Sequence, residues 1–365
     1  MDLIRILSAA TKAGASDFHL SSSYPPIIRK NGETRWLDLP PLSAKEAHDT
    51  IYDILTEKQI GQFERDHEID MAWKIKGLGR FRVNIFQALN GMGAAFRIIP
   101  EKIMTLEDIL APPAVFNLAN KLKGLVLVTG ATGSGKSTTL SAFVDHINAR
   151  RRGHILTIED PIEFVHKSKK CLITQREIGT HSNSFANALR AALREDPDVI
   201  LVGELRDLDT ISLALTAAET GHLVLGTLHT GSAPEAADRV IDVFPSSQHN
   251  QIRSIFSSTL QGVIAQKLLK RKNTDGRVAS MEVMLGTNSI RNLIRERKSH
   301  QLLSAIQTST EEGMQSSDQA LINLLDDDEI SLEEAQSHAV ETRPFEEWAG
   351  SIRNVLHSKK KVVMS

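Results

Sequence analysis

The clearest indication of chemistry in this sequence lies between positions 130 and 138. Their order fits the G-x-x-x-x-G-K-S pattern of a phosphate-binding loop at every fixed position. Glycines let backbone N–H groups converge on phosphate oxygens, because no Cβ atom blocks the approach. Lys136 would direct a positive charge at the β- and γ-phosphates, and the Ser137 hydroxyl would bind Mg²⁺. The predicted nucleotide-binding residues are Gly130, Ala131, Thr132, Gly133, Ser134, Gly135, Lys136, Ser137 and Thr138.

Carboxylates that follow two apolar runs are candidates for activating a water molecule beside that phosphate. The run 199–202 leads into Glu204, the pattern of a buried strand that delivers an acid beside a metal ion and water. The run 155–158 leads into Glu159 and Glu163, and carboxyl ends of parallel strands face the ligand crevice of an open α/β sheet. Glu204 is predicted to act as the base or to hold the metal through water. An ordinary solvated strand end explains the second run equally well, and spacing does not decide between Glu159 and Glu163.

Two histidines accompany a further apolar run. His222 and His229 are seven positions apart, on either side of this run, so they lie at opposite ends of the predicted strand. His229 would then lie at the carboxyl end, where a group that senses the γ-phosphate is expected. For His222 a structural role and a functional role remain equally open. Nothing else is spaced as a zinc ligand set, so a zinc site is not expected.

Three arginines in the first hundred residues could supply charge to a phosphate. Arg80, Arg82 and Arg97 lie on two predicted antiparallel strands, 80–87 and 94–99. On a single chain these residues fit a solvated sheet edge, which is the usual position of an arginine. In a ring, an arginine from another domain or subunit can reach the γ-phosphate and stabilise the transition state.

Alternating strands and helices are predicted to hold these groups. From about residue 114 the alternation is typical of a mostly parallel sheet with helices on both faces. The first hundred residues combine an N-terminal helix, a hairpin around the Asn31–Gly32 turn, a helical stretch over 43–65 that a capping box of Ser43 and Glu46 begins, and two antiparallel strands. This combination is typical of a small α+β domain. Beyond about residue 246 the pattern predicts helices, including one over 246–270, with a strand-like exception at 277–285. The core strands are predicted at 125–129, 154–158, 198–202 and 222–227, and the core helices at 136–149, 184–195, 207–219 and 233–243.

Length and composition indicate an ordinary globular protein with more than one domain. The chain has 365 residues, of which 41% are hydrophobic and 24% charged, and its formal net charge of -2 predicts no bulk attraction to nucleic acid. The single cysteine, Cys171, excludes an internal disulfide framework. No run has the length of a membrane span or the pattern of a signal peptide, so a cytoplasmic protein is expected, with membrane association only through partners. The predicted parts are a domain at 1–100, a linker at 101–113, a core at 114–285, a helical region at 286–343 and a tail at 344–365.

Several motifs together identify a family resemblance. They are GATGSGKST at 130–138, TIEDPIEFVH at 157–166, ALRAALREDPDVILVGELRD at 188–207 and TAAETGHLVLGTLHT at 216–230. These motifs resemble the secretion ATPase superfamily. The segment SIRNLIRE at 289–296 is similar to the AIRNLIRE motif of the PilT family of type IV pilus retraction ATPases. The resemblance gives a coupling role to Ile290, Arg291, Asn292, Leu293, Ile294, Arg295 and Glu296, although an apolar stripe with an exposed arginine pair also fits a plain surface helix.

The resemblance implies a fold, an activity and partners. The expected fold is an N-terminal PAS-like α+β domain followed by a RecA-like P-loop ATPase core with a helical C-terminal region. The expected activity is Mg²⁺-dependent hydrolysis of ATP in a homohexameric ring, which removes pilin through an inner-membrane platform protein and so retracts the pilus during twitching motility. The ring would be cytoplasmic and peripheral at the inner membrane. The residues that match the family's functional positions are Lys136, Ser137, Glu163, Glu204, His222, His229, Arg82 and Arg97.

Several departures from the family pattern leave the family member open. Ser289 replaces the alanine that opens AIRNLIRE, and Gly231 stands where a threonine is expected. Asp326–Asp328 stands where relatives usually have a lysine-glycine turn, and the tail after Arg343 lies beyond the common core. A PilU-like accessory retraction motor, which could also be a partner, and other pilus or secretion ATPases remain alternatives. A ring that binds nucleotide without hydrolysing it is the remote alternative.

Overall fold

The computed structural model describes residues 2–30, 32–99 and 102–350. The chain divides into two compact units, Met1–Ile103 with Pro161–Val165, and Met104–Asp160 with His166–Ser365. Some predicted features lie outside the described residues. These are Asn31 of a predicted turn, the domain boundary at residues 100 and 101, and the tail from residue 351 onward.

An antiparallel sheet and the helices packed against it form the first unit. The helices are α1 (Leu3–Lys12), α2 (Ala44–Tyr52) and α3 (Glu57–Asp66), and the strands are β1 (Asp17–Ser21), β2 (Ile27–Lys30), β3 (Glu33–Trp36), β4 (Glu68–Ile75), β5 (Gly79–Ala88) and β6 (Gly91–Ile99). The strands lie in the order β3-β2-β1-β6-β5-β4, each antiparallel to its neighbours. Leu7, Phe18, Ile51 and Phe96 are buried in the core that the helices and the sheet share.

Residues 43–65, predicted as one helical stretch, form two helices. The predicted capping box of Ser43 and Glu46 is confirmed at the start of α2. A second capping box, made by Thr56 and Gln59, begins α3. A capping box satisfies N–H groups that have no partner within the helix, so it marks the start of a new helix rather than the middle of an old one.

A mostly parallel sheet with helices forms the second unit. Its strands are β7 (Gly124–Thr129), β8 (Gly153–Glu159), β9 (Cys171–Glu177), β10 (Val199–Val202), β11 (Leu223–Leu228), β12 (Leu260–Lys270) and β13 (Arg277–Leu285). Its helices are α4 (Pro113–Ala119), α5 (Lys136–Arg150), α6 (Phe185–Ala192), α7 (Leu208–Glu219), α8 (Ala233–Asp242), α9 (His249–Thr259), α10 (Asn288–Arg295), α11 (Leu302–Thr308), α12 (Ser317–Asp326) and α13 (Leu332–His338). The strand order is β13-β12-β7-β11-β10-β8-β9, and β13 is the antiparallel strand. None of the helices in the described ranges is both long and apolar enough to cross a membrane.

Side chains of β7 show that helices cover both faces of this sheet. Leu125 and Leu127 belong to an apolar cluster with residues of α6 to α11, whereas Val126 and Val128 belong to another with residues of α4 and α5. Successive side chains of a strand point to opposite faces of its sheet, so the two clusters lie on opposite faces.

The helix predicted over 246–270 is wrong beyond Thr259, because residues 260–270 form β12. This strand lies between β7 and β13, and Val263 and Ile264, which point to opposite faces, are both fully buried. A surface helix keeps one face in solvent, whereas residues 262–266 are all buried. Its β-branched side chains and its burial on both faces favour a central strand instead.

Helix α10 contains most of the segment predicted to couple nucleotide turnover to motion. Ile290 and Ile294 are fully buried, as the apolar stripe predicts. The predicted exposed pair of Arg291 and Arg295 is not formed. The Arg291 guanidinium is half-buried and donates a hydrogen bond to the carbonyl oxygen of Leu260 at 2.9 Å, whereas Arg295 is exposed.

Candidate active site

The phosphate loop connects the buried strand β7 to helix α5. Gly130 and Gly135 have φ angles of +144° and +90°, in the left-handed region that favours glycine. A Cβ atom at Gly130 would lie 2.4 Å from the carbonyl oxygen of Gln266 and 2.6 Å from Ser134 Oγ. The loop therefore requires glycine at position 130 for two reasons, its backbone conformation and its close packing.

Several hydrogen-bonding groups of this loop suit an anion. Lys136 Nζ folds back along the loop and donates to the carbonyl oxygens of Gly130 at 2.8 Å and Ala131 at 3.0 Å. Helix α5 begins after Gly135 with no side chain capping its first turn, so N–H groups and the positive end of the helix dipole face the loop. The Ser134 hydroxyl is buried without a hydrogen-bond partner among the described residues. A bound phosphate would satisfy such donors, so the loop fits a nucleotide.

Glu204 and His229 come together beside this loop. Parallel pairing of β10, β11 and β7 brings the carboxyl ends of these strands to one edge of the sheet. At that edge Glu204 Oε1 lies 3.2 Å from His229 Nε2 and 2.5 Å from Arg206 Nε. The hydrogen bond from Arg206 to Glu204 raises the pKa of the guanidinium. One carboxylate oxygen of Glu204 thus lies against both an arginine and a histidine.

Three threonines hold this edge together. The Thr230 N–H donates to Thr129 Oγ1 at 2.9 Å, and the Thr129 hydroxyl lies 2.7 Å from the Thr230 carbonyl oxygen. The Thr227 hydroxyl donates to the Gly203 carbonyl oxygen at 2.5 Å. The contacts of Thr129 and Thr230 join the end of β7 to the loop that carries His229. The contact of Thr227 joins β11 to the loop that carries Glu204. The sequence feature that could have indicated these contacts is a threonine near the end of each strand, Thr129 on β7 and Thr227 on β11.

Glu159 at the end of β8 and Glu163 in the segment after it lie in different surroundings. Glu159 Oε1 accepts hydrogen bonds from Thr157 Oγ1 at 2.6 Å and Gln175 Nε2 at 3.2 Å, which hold it against β9. Glu163 is half-buried in the segment Pro161–Val165 that groups with the first unit. Its predicted part in catalysis stays a prediction.

The predicted arginines lie in a cross-strand row of the first unit. Arg82 on β5 is directly opposite Arg97 on β6, and Arg97 is opposite Asp17 on β1. Arg97 Nε donates to Asp17 at 3.0 Å, and Arg82 pairs with Asp70 at 2.7 Å. Arg80 lies two residues before Arg82, on the same face of β5. Asp70 and Asp17 therefore flank the adjacent arginines Arg82 and Arg97. That these arginines approach a phosphate stays a prediction.

His222 lies at the other end of β11 from His229. Its Nδ1 lies 3.0 Å from the Ala217 carbonyl oxygen and 3.3 Å from Thr220 Oγ1. These contacts close the turn between α7 and β11, at the edge of the sheet away from the phosphate loop. The sequence left a structural role and a functional role open for His222, and this geometry favours the structural role.

Comparison with known proteins extends this description to almost the whole chain. The family model of type II/IV secretion system proteins matches residues 2–337. The type IV pilus retractation ATPase PilT of Pseudomonas aeruginosa is 53% identical over 339 residues, which are 93% of this chain and 98% of that protein. The type IV pilus ATPase PilU of the same species is 40% identical over 339 residues, 93% of this chain and 89% of that protein. A crystal structure of the pilus retraction motor PilT with bound ADP has a TM-score of 0.86 and 42% identity to this chain, covering 95% of this chain and 99% of that one.

Proposed function

This chain belongs to the family of type II/IV secretion system proteins, and we propose that it is an ATP-hydrolysing motor that drives type IV pilus retraction. The family, the α/β fold class and the ATPase activity expected from the sequence are confirmed by matches along nearly the whole chain. One observation carries the mechanism. The phosphate loop and the Glu204–His229 pair lie at the same edge of one parallel sheet.

Each group at this edge has a role in the proposed reaction. Loop N–H groups and Lys136 bind the β- and γ-phosphates of ATP and hold the γ-phosphate in place. Glu204 orients the attacking water and accepts its proton, while His229 and Arg206 hold the carboxylate in position. Positioning and charge neutralisation supply the rate, because phosphoryl transfer needs little covalent help from the protein.

Mg²⁺ is the metal that this donor set suits. The Ser137 hydroxyl, in the first turn of α5, offers the hard oxygen ligand that Mg²⁺ prefers, and Glu204 or Glu163 could add a contact through water. When bound, the ion would neutralise charge on the β- and γ-phosphates.

Retraction is favoured over the accessory role by sequence similarity. The chain is 53% identical to a retraction ATPase but 40% identical to a PilU protein of the same species over the same number of residues. The PilU-like role is therefore the second candidate.

Assembly and partners complete the proposal. We propose a homohexamer in which Arg82 and Arg97 serve the site of a neighbouring protomer, after exchanging their acidic partners for phosphate. The domain at 1–100, the linker at 101–113, the core at 114–285, the helical region at 286–343 and the tail at 344–365 are proposed as its parts. The ring would work in the cytoplasm, on an inner-membrane platform protein and beside a paralogous retraction ATPase.

Phosphate release tests the enzymatic part of this proposal. The wild type should release phosphate from ATP with Mg²⁺, whereas Glu204→Ala should lose about 100-fold or more in rate, as expected for a catalytic base, and still bind ADP. Glu219→Ala, an exposed glutamate on α7, is the matched control and should keep the wild-type rate. Equal rates for Glu204→Ala and wild type would reject the assigned role of Glu204.

Deletion of the gene in its host tests the biological part. Loss of twitching motility together with surplus surface pili supports retraction, whereas cells without pili would indicate an assembly motor. The mass of the purified protein with nucleotide tests the ring, because a lone protomer at every concentration contradicts it.

A further inference from the structure

Gln266 lies behind the phosphate loop. It is on β12, one residue beyond Ala265, the last residue of this strand that pairs with β7. Only 3% of Gln266 is exposed. The sequence predicted a helix here and no function for this residue. A buried amide side chain must have partners for both its donor and its acceptor, so its contacts are informative.

Both ends of the Gln266 amide bind parts of the nucleotide site. Its Nε2 donates to the carbonyl oxygen of Ser134 at 2.9 Å. Its Oε1 accepts from the Thr139 hydroxyl of α5 at 2.7 Å. One side chain therefore connects the loop to the helix that follows it. An apolar residue could make neither bond, and a glutamate lacks the donor for Ser134.

Gln266 also packs directly on the glycines at the ends of the loop. Its backbone carbonyl oxygen lies 2.4 Å from the position that a Cβ atom on Gly130 would take. Its Nε2 lies 2.7 Å from the corresponding position at Gly135. The phosphate loop therefore rests on Gln266 at both ends, and small residues at these two positions permit the contact.

We propose that Gln266 is a positioning residue that orients the phosphate loop for the β- and γ-phosphates of ATP. In a trans peptide the C=O and the N–H point in opposite directions. Holding the Ser134 carbonyl toward Gln266 therefore directs the N–H of Gly135 away from Gln266, toward the open side of the loop. The second bond fixes α5, whose first turn carries Lys136 and Ser137. This inference rests on the proposed function, because it concerns the same nucleotide.

Binding of ADP and of adenosine separates this role from general stability. Gln266→Glu keeps the size and the acceptor but loses the donor, and leaves the buried Ser134 carbonyl unsatisfied. We expect its Kd for ADP to rise about tenfold, as for a lost buried hydrogen bond. The Kd for adenosine, measured by competition at the same site, should change less than twofold, because adenosine has no phosphate. Gln336→Glu, an exposed glutamine on α13, is the control and should bind ADP like the wild type.

Two further variants make the test decisive. Thr139→Val removes only the second bond, so its ADP affinity should fall less than that of Gln266→Glu. Gln266→Met, of similar shape and without an added charge, should show the same selective loss of ADP affinity, which excludes repulsion between a new carboxylate and the phosphates as the cause; unchanged ADP affinity in Gln266→Met would overturn the role of Gln266. An equal loss of ADP and adenosine affinity, or no loss of either, would overturn the role of Gln266 while the ATPase proposal stands. A wild type that binds no ADP overturns both.

Discussion

Glu282 on β13 is a buried carboxyl group with a measurable effect on pH-dependent stability. It is 4% exposed and lies opposite Ala265 on β12. Burial, which is the main cause, raises its pKa from 4.5 to about 7, against a hydrogen bond from the Ala233 backbone and the charge of Lys267. The carboxylates of Glu235 on α8 and Asp318 on α12 raise it further. Glu282 is therefore protonated in the folded chain at pH values where it is ionised in the unfolded chain.

The sign and size of the effect follow from proton linkage. A group whose pKa is higher in the folded state contributes stability that is present at low pH and is lost as pH rises through the folded pKa. The loss begins near pH 4.5 and is nearly complete above pH 7. For a pKa raised from 4.5 to about 7, it amounts to roughly 2 to 3 kcal/mol between pH 5 and 8. Glu282→Gln keeps the shape and an acceptor for the Ala233 N–H but cannot ionise.

Urea unfolding of the nucleotide-free protein at pH 5 and pH 8 measures this effect. Relative to the wild type, Glu282→Gln should gain roughly 2 to 3 kcal/mol in unfolding free energy between pH 5 and pH 8. Glu311→Gln, at an exposed position, serves as the control and should follow the wild type at both pH values. If Glu282→Gln and the wild type change in parallel with pH, the buried-proton explanation is refuted.

Two further predictions concern the neighbourhood of the phosphate loop. Gly130→Ala places a Cβ atom 2.4 Å from the Gln266 carbonyl oxygen, so its affinity for ADP should fall at least about tenfold. The control is Gly276→Ala, at a position with a positive φ but no atom within 4 Å of the added Cβ. Titration with ADP should give this control the affinity of the wild type. Burial lowers the pKa of His166 from 6.5 to about 4, so it contributes stability that is present above pH 6.5 and lost as pH falls toward 4. His166→Gln should therefore have a higher Tm relative to wild type at pH 5 than at pH 7, and equal differences at both values would contradict this.

Much of the active site could be predicted from local patterns. The phosphate loop depends on residues adjacent in sequence, so its spacing alone identified it. The strand that leads to Glu204 and the strand that ends at Glu159 were predicted because buried parallel strands have continuous apolar runs. Parallel pairing then brings their carboxyl ends to one edge, which is why Glu204 and His229 meet there.

The features that the sequence patterns did not predict depend on packing between residues far apart in the chain. Residues 260–270 have no periodicity that separates a buried helix from a buried strand, and only their position between β7 and β13 makes them a strand. Gln266 acquires its contacts because β12 extends past β7, and Arg291 is drawn to the Leu260 carbonyl rather than to solvent.

The phosphate loop, the carboxylates at or just after the strand ends and the family could all be inferred from the order of the amino acids, because they depend on short-range spacing and on motifs. Which groups touch depends on how the chain folds. The pairing of Glu204 with His229, the support of the loop by Gln266 and the raised pKa of Glu282 arise between residues far apart in the chain. Their strength depends on burial and on neighbours that the folded sheet alone brings together.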